Sequence, residues 1–213
     1  MLYSYIAIEG NIGAGKTSLA KKIAEEFGSK LVLEEYAENP FLPPFYKEPE
    51  KFAFQLELSF LAERYQQIIR ELANRNLFHQ TVVSDYIIHK SLIFARTNLD
   101  RPTFRLYNQL YQLIIKSMPR PELIIYLYND TDRLLQNIKK RGRPYEQEIK
   151  ATYLNRIHKS YMTFFRQNRK LRVVMVDASK LDFVQRDEDA SLLIQLVSKP
   201  FNSGITTIED LKT

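Results

Sequence analysis

Residues Gly10-Asn11-Ile12-Gly13-Ala14-Gly15-Lys16-Thr17 follow directly on the apolar run Tyr3 to Ile8. They match G-x-x-x-x-G-K-[S/T], the phosphate-binding loop that links a buried strand to a helix. The glycines let the backbone fold into a cradle whose N–H groups point inward, where side chains would block a phosphate. The following helix presents the positive end of its dipole to the same anion. Its apolar residues Leu19, Ala20, Ile23, Ala24 and Phe27 recur at helical spacing. Lys16 supplies a mobile ammonium for the β- and γ-phosphates, and the Thr17 hydroxyl is a hard oxygen ligand for Mg²⁺. With Ser18 closing the stretch, Gly10 to Ser18 is the expected phosphate site of a nucleoside triphosphate.

Outward from this loop, short β-rich apolar runs alternate with helical patterns. Strands are expected at about 3–8, 30–34, 81–85, 123–127 and 173–176. Helices are expected at about 16–28, 50–75, 86–96 and 103–118, then from the cap at Asp130 or Thr131 to the basic cluster 139–143, and at 148–168 and 187–197. The three prolines of the segment Asn39 to Tyr46 exclude both helix and central strand. The alternation predicts an α/β fold, a five-stranded parallel sheet flanked by helices. A single domain covers 1–198, and a polar tail of 199–213 follows. In that tail Thr206 to Glu209 reads as a capping box for one last helical turn. In such sheets ligands bind beyond the carboxyl ends of the strands. Gly10–Thr17, Glu35, Asp85, Asn129, Asp130 and Asp177 therefore share one edge.

Composition narrows the chemistry. The 213 residues include no Cys, so disulfides, thiolate metal sites and cysteine nucleophiles are excluded. The three His, at 79, 89 and 158, lack ligand spacing, which leaves oxygen-ligated Mg²⁺ as the expected metal. No apolar stretch approaches the ~20 residues of a membrane span, so a cytoplasmic protein without a membrane partner is expected. The net charge of +6 invites a nucleic-acid reading. Its basic residues, however, are dispersed among acids except at Lys139-Lys140-Arg141-Gly142-Arg143, which a polyphosphate ligand explains without nucleic acid. Two arginines flanking a glycine beyond a helix end suit a lid, at about 139–147, that neutralises charge on a transferred phosphoryl group. The Asn-Lys-x-Asp signature of GTPases is absent.

The stretch Ile8-Glu9-Gly10-Asn11-Ile12-Gly13-Ala14-Gly15-Lys16-Thr17 resembles the phosphate loop of the deoxyribonucleoside kinases, and Glu-Gly-Asn-Ile is far more specific than the generic motif. The resemblance continues through Glu35 with Asn39-Pro40-x-Leu42, then Phe45-Tyr46-x-x-Pro49-x-Lys51-x-x-Phe54-Gln55. It resumes at Phe94-Ala95, at Arg141-Gly-Arg143-x-x-Glu146-Gln147 with Tyr153-Leu154 and His158, and at Asp177 with Asp182-Phe183. The likeness spans about 1–185 and is strongest to bacterial deoxyadenosine/deoxyguanosine kinases. It implies a P-loop kinase fold with a short Arg-rich lid, and γ-phosphoryl transfer from ATP with Mg²⁺ to a deoxyribonucleoside 5′-hydroxyl in nucleotide salvage.

The resemblance also implies roles. Glu35, at the end of strand two, is the expected base that takes the hydroxyl proton; its neighbour Glu34 would point to the opposite side. Lys16, Arg141 and Arg143 complete the catalytic set. Gln55 would read the base, while Tyr46 and Glu146 hold the sugar 3′-hydroxyl. Asp177, Asp182 and Phe183 correspond to the loop around the adenine of ATP. Thr17 and Asp85 would hold the metal. Phe78, Tyr86 and Phe94 are aromatic candidates for the base pocket, with core packing as their alternative role. A homodimer through 103–118 is expected from the apolar stripe of that helix.

Two departures stand out. Where the family usually has Glu/Asp-Arg-Ser, this chain has Asp85-Tyr86-Ile87, and Lys90 is the nearest candidate to restore the positive charge. Asn137 occupies the lid position where animal relatives stack an arginine on adenine. Base preference does not follow from Arg64, which lies nine residues after Gln55 and so faces about 180° away; a purine rests on overall likeness alone. Two rival functions are a nucleoside monophosphate kinase of the thymidylate kinase type and a catalytically weak nucleotide-binding structural subunit. The first would need arginines between residues 35 and 60, where there are none. The second must explain why Lys16, Glu35, Gln55, Arg141, Arg143 and Glu146 are all present.

Overall fold

In the computed structural model, which describes residues 1–35, 39–73 and 81–211, β1 (Tyr5–Gly10) is the central strand. All six of its residues are buried, so both faces of the strand are covered. The sheet runs β2-β3-β1-β4-β5-β6, with β2 at Lys30–Val32, β3 at Val82–Ser84, β4 at Leu123–Tyr128, β5 at Arg172–Asp177 and β6 at Gly204–Ile208. Every pairing is parallel, with Ile6 opposite Leu123 and Val83 across β1 and β4 or β3. Strand order reverses direction at β1, the switch point where parallel sheets open a crevice. The phosphate loop sits there.

Alternate strand residues feed two cores. Ile6, Ile8, Leu123, Ile125, Leu127, Val174 and Val176 pack against helix α1 (Lys16–Glu26) and helix α8 (Asp187–Gln195). Ala7, Ile124, Tyr126 and Val173 face the opposite side, against Ile157, Tyr161, Phe164 and Phe165 of α7 (Ala151–Gln167). A third cluster joins Leu61 and Ile68 of α3 (Pro49–Ile68) to Ala95 of α4 (Lys90–Asn98) and Tyr107 and Tyr111 of α5 (Arg101–Ile115). Helix α3 runs on into a wider π-turn at Ile69–Ala73.

Two expectations are corrected. The sheet has six strands rather than five, because Gly204–Ile208 adds to the edge of β5 instead of forming a capped helical turn at Thr206–Glu209. The edge carbonyls and N–H groups of β5 offer more hydrogen bonds than one isolated turn, and Ile208 gains a place against the core. The proline-rich segment also contains a helix, α2 (Leu42–Lys47). Its two prolines stand in the first turn, where the missing N–H groups would have no intrahelical partner anyway. The C-terminal side then closes normally, with Phe45 N–H donating to Phe41 O at 3.0 Å and Glu48 N–H to Pro44 O at 2.9 Å.

Ile125 is fully buried in the middle of β4. We expect Ile125→Ala to lower unfolding stability by about 2–5 kcal/mol, read as a reduced urea midpoint with an unchanged denaturant slope.

Candidate active site

The loop after β1 turns sharply into α1. Gly15 adopts φ +86°, and a Cβ there would meet Phe183 Cζ at 2.6 Å. Gly13, at φ +82°, is similarly closed in by the Leu134 carbonyl at 2.8 Å. Helix α6 (Thr131–Arg141) and the Phe183 ring thus wall the loop from two sides. Lys16 Nζ donates to the carbonyls of Gly10 at 3.1 Å and Asn11 at 2.9 Å. Burial, with Lys90 nearby as a second cause, lowers the Lys16 ammonium to about 8. Asn11 is tied by its Nδ2 to Leu154 O at 2.8 Å and by its Oδ1 to the Ile12 N–H at 2.9 Å. These contacts fix the cradle before any ligand is considered.

Behind the loop Glu9 is completely buried. It accepts hydrogen bonds from Ile87 N–H at 2.8 Å and Tyr161 Oη at 2.6 Å. Burial raises its pKa, and the charges of Lys90 and Lys16 pull the other way. The β1 carboxyl end therefore anchors the segment after β3 to α7.

Two cavities open at this edge. The first, about 540 Å³, is lined by Gly13 to Ser18, by Asn137 and Lys140 of α6, and by Asp182 and Phe183. Asn137 Nδ2 donates to Gly13 O at 2.8 Å, so its amide serves the loop backbone. Asp177 does not line this cavity; its Oδ1 accepts from Ser179 N–H at 2.9 Å and shapes the turn after β5. The second cavity is a slot of about 110 Å³ that includes Ile12, Glu34, Tyr46, Asp85, Phe94 and Glu146. Lys16, Thr17, Arg141 and Arg143 line both. They form the junction.

At the junction Thr17 Oγ1 donates to Asp85 Oδ2 at 2.5 Å. A hydroxyl and a carboxylate beside the phosphate cradle suit a hard, oxygen-preferring cation. Across the slot, Glu146 is buried and paired with Arg141 at 2.5 Å and Arg143 at 3.2 Å. Tyr46 stacks on Tyr145 with centroids 6.0 Å apart, and burial raises its phenol well above the ordinary range.

Glu35, the expected base, and Gln55, the expected base reader, line neither cavity. Glu35 has a side chain 62% exposed and pairs with Arg70 at 2.6 Å, away from both cavities. Glu34, 9% exposed, points into the slot instead. The physical reason is that β2 stops at Val32, so strand alternation no longer governs the two acids. Asp85 Oδ1 accepts the Glu34 N–H at 2.7 Å and turns this residue inward. Arg64 Nη2 lies 2.6 Å from Glu34 Oε1, and Lys90 Nζ pairs with Oε2. Burial alone would raise this carboxyl, but Lys90 and Arg64 outweigh it and hold Glu34 at about 2.

Gln55 is likewise exposed on α3. Glu57, two residues on and rotated by about 200°, lines the slot together with Phe60 and Arg64 on the same helix face. Phe94 lines the slot as well, whereas Tyr86 is core, its hydroxyl donating to Gln67 Oε1 at 2.7 Å. Phe78 lies outside the described residues. The sequence does not single out Glu57, and it sets Arg64 aside for facing away from Gln55, yet both line the slot. Their i, i+7 spacing was the signal available, masked by the choice of Gln55 as origin.

A phosphate cradle joined through shared cations to a second chamber with a buried carboxylate defines a P-loop phosphotransferase with a separate acceptor pocket. The family model for deoxynucleoside kinase matches residues 6–202, and the chain belongs to that family. A deoxyguanosine kinase of Bacillus subtilis is 37% identical over 87% of this chain and 91% of its own length. A deoxyadenosine kinase of Lactobacillus acidophilus is 34% identical over 84% of this chain and 87% of its own. The structure of a deoxyadenosine kinase from M. mycoides with bound dATP superposes with a TM-score of 0.79 at 26% identity, over 92% of this chain and all of that one (100%). The protein is a deoxyribonucleoside kinase.

Gly15→Ala should leave the fold intact but push Phe183 and the loop apart. We expect ATP affinity to fall by roughly tenfold or more, about 1.4 kcal/mol, in a calorimetric titration.

Proposed function

We propose that the chain transfers the γ-phosphoryl group of ATP to the 5′-hydroxyl of a purine deoxyribonucleoside, with Glu34 as the base. The observation that carries this reading is the junction: Lys16, Thr17, Arg141 and Arg143 border both cavities, and Glu34 faces that junction from the acceptor side. ATP occupies the larger cavity, with its phosphates on Gly10 to Ser18 and its adenine near Asp182 and Phe183. The nucleoside occupies the slot, with its sugar between Tyr46 and Glu146.

In the transfer, the 5′-oxygen forms a bond to the γ-phosphorus as the bond to the bridging oxygen of ADP breaks. The electron pair of that bond leaves with ADP, and the hydroxyl proton passes to Glu34. Ion pairing keeps Glu34 ionised at neutral pH. Its low basicity fits a late proton transfer, when the attacking oxygen has become acidic through its partial bond to phosphorus. Lys16, Arg141 and Arg143 spread positive charge around the migrating group. To serve this way, Arg141 and Arg143 exchange Glu146 for phosphate oxygens, of comparable charge and geometry. Thr17 and Asp85 would hold Mg²⁺, which when bound neutralises charge on the β- and γ-phosphates.

No described helix is long and apolar enough to cross a membrane, and we place the activity in cytoplasmic nucleotide salvage. A homodimer through α5 is consistent with Leu106 and Leu113, 51% and 71% exposed on that helix. The monophosphate kinase alternative is not favoured, because the family model and the relatives that the chain matches are deoxynucleoside kinases.

The test is ADP release with each deoxyribonucleoside, in the wild type and in two variants. Glu34→Gln should lower kcat by about 10²–10⁴-fold, whereas Glu35→Gln should stay within about threefold of wild type. Equal loss in both, or loss only in Glu35→Gln, would return the base to the surface acid.

A further inference from the structure

Glu57 is a carboxylate with unfinished hydrogen bonding in the wall of the slot. The residue is 1% exposed. Its Oε1 accepts from Asn98 Nδ2 at 2.6 Å, while its Oε2 has no hydrogen-bond partner among the described residues. An ionised carboxylate only accepts, and its two oxygens lie side by side. On the same face of α3, one and two turns further on, stand Phe60 and Arg64. Arg64 commits Nε and Nη2 to Glu34 and Nη1 to Ser91, which leaves part of its five-donor fork for another acceptor. One wall of the slot thus carries a paired acceptor and a cationic donor beside the Phe60 ring.

Among the bases, guanine alone carries two adjacent donors, N1–H and the 2-amino group, next to an acceptor, O6. Adenine presents the opposite pattern on this edge, with N1 accepting and the 6-amino group donating. We infer that Glu57 selects guanine, receiving N1–H and the 2-amino N–H on its two oxygens while Arg64 faces O6. This rests on the slot being the nucleoside site of the proposed kinase.

The assignment has a built-in pH dependence. Burial raises the Glu57 carboxyl to about 7, against the pull of the Asn98 hydrogen bond and of the Arg64 and Lys90 charges, and Glu34 adds to the rise. Tyr107 of α5, whose Oη donates to the Glu57 carbonyl, and Tyr153 of α7 are the remaining titratable neighbours. Below about 7 the added proton makes Glu57 a donor beside an acceptor, the complement of adenine. Above it, the carboxylate matches guanine. Selectivity for deoxyguanosine over deoxyadenosine therefore rises with pH.

The experiment compares kcat/KM for deoxyguanosine, deoxyadenosine and deoxyinosine between about pH 6 and about pH 9, in wild type and Glu57→Gln. In the wild type the deoxyguanosine preference should grow by roughly tenfold across this range, and deoxyinosine, which lacks the 2-amino donor, should be used roughly tenfold less well than deoxyguanosine. Glu57→Gln should shift the ratio toward deoxyadenosine and make it independent of pH. A wild-type ratio flat with pH, equal use of deoxyinosine and deoxyguanosine, or an unchanged deoxyguanosine preference in an active Glu57→Gln enzyme overturns the proposal. The two wild-type readouts hold even if the variant fails to fold. Transfer only to pyrimidine deoxyribonucleosides overturns the Glu57 assignment and leaves the kinase reading standing. Transfer to none of them overturns both.

Discussion

Two cations converge on one buried carboxylate: Arg64 from α3 and Lys90 from α4 both pair with Glu34, just past the end of β2. The side chains concerned are 4% and 9% exposed for the cations and 9% for the acid. Removing one member of such a cluster leaves uncompensated charge in the interior, at a cost of about 3–5 kcal/mol. The cluster therefore ties three elements into one wall, and the acceptor slot is the space that wall encloses. Ser91 extends the tie by accepting from Arg64 at 2.7 Å, and Lys90 also lies over the Phe94 ring, 5.5 Å from its centroid.

This arrangement accounts for the departure after β3. Where relatives usually place an arginine, Tyr86 is 1% exposed and bonded to Gln67, and Ile87 lends its N–H to Glu9. A guanidinium could not replace that phenol without burying a third positive charge beside Arg64 and Lys90. The cations instead arrive from two helices that pack on the strand end. Arg64 and Lys90 supply the positive charge of this wall.

Much of the fold was legible in the sequence because its signals are local and strong. The phosphate loop, the five apolar runs and the alternating helices follow from composition at fixed spacing. What escaped is set by tertiary partners. Whether Glu34 or Glu35 points inward depends on where β2 ends, and the hydrogen bond that the Glu34 N–H donates to Asp85, over fifty residues away, decides it. The choice between Gln55 and Glu57 depends on which face of α3 meets α4 and α5, which helical periodicity states only relative to a chosen origin. Strand β6 was hidden since five residues of mixed polarity look like a tail until an edge is available. Helix α2 was hidden by prolines that are harmless in a first turn.

The connectivity of the sheet also sets an order of assembly. Strand β1 is made before either of its neighbours, residues 82–84 and 123–127. Phe183, which closes the loop at Gly15, emerges later still. Long separations of this kind slow folding, because loop-closure entropy must be met before contacts form. Until β4 has been made, the nascent chain carries an apolar central strand with one edge unpaired. The nucleotide chamber itself comes into being only once Phe183 has been made.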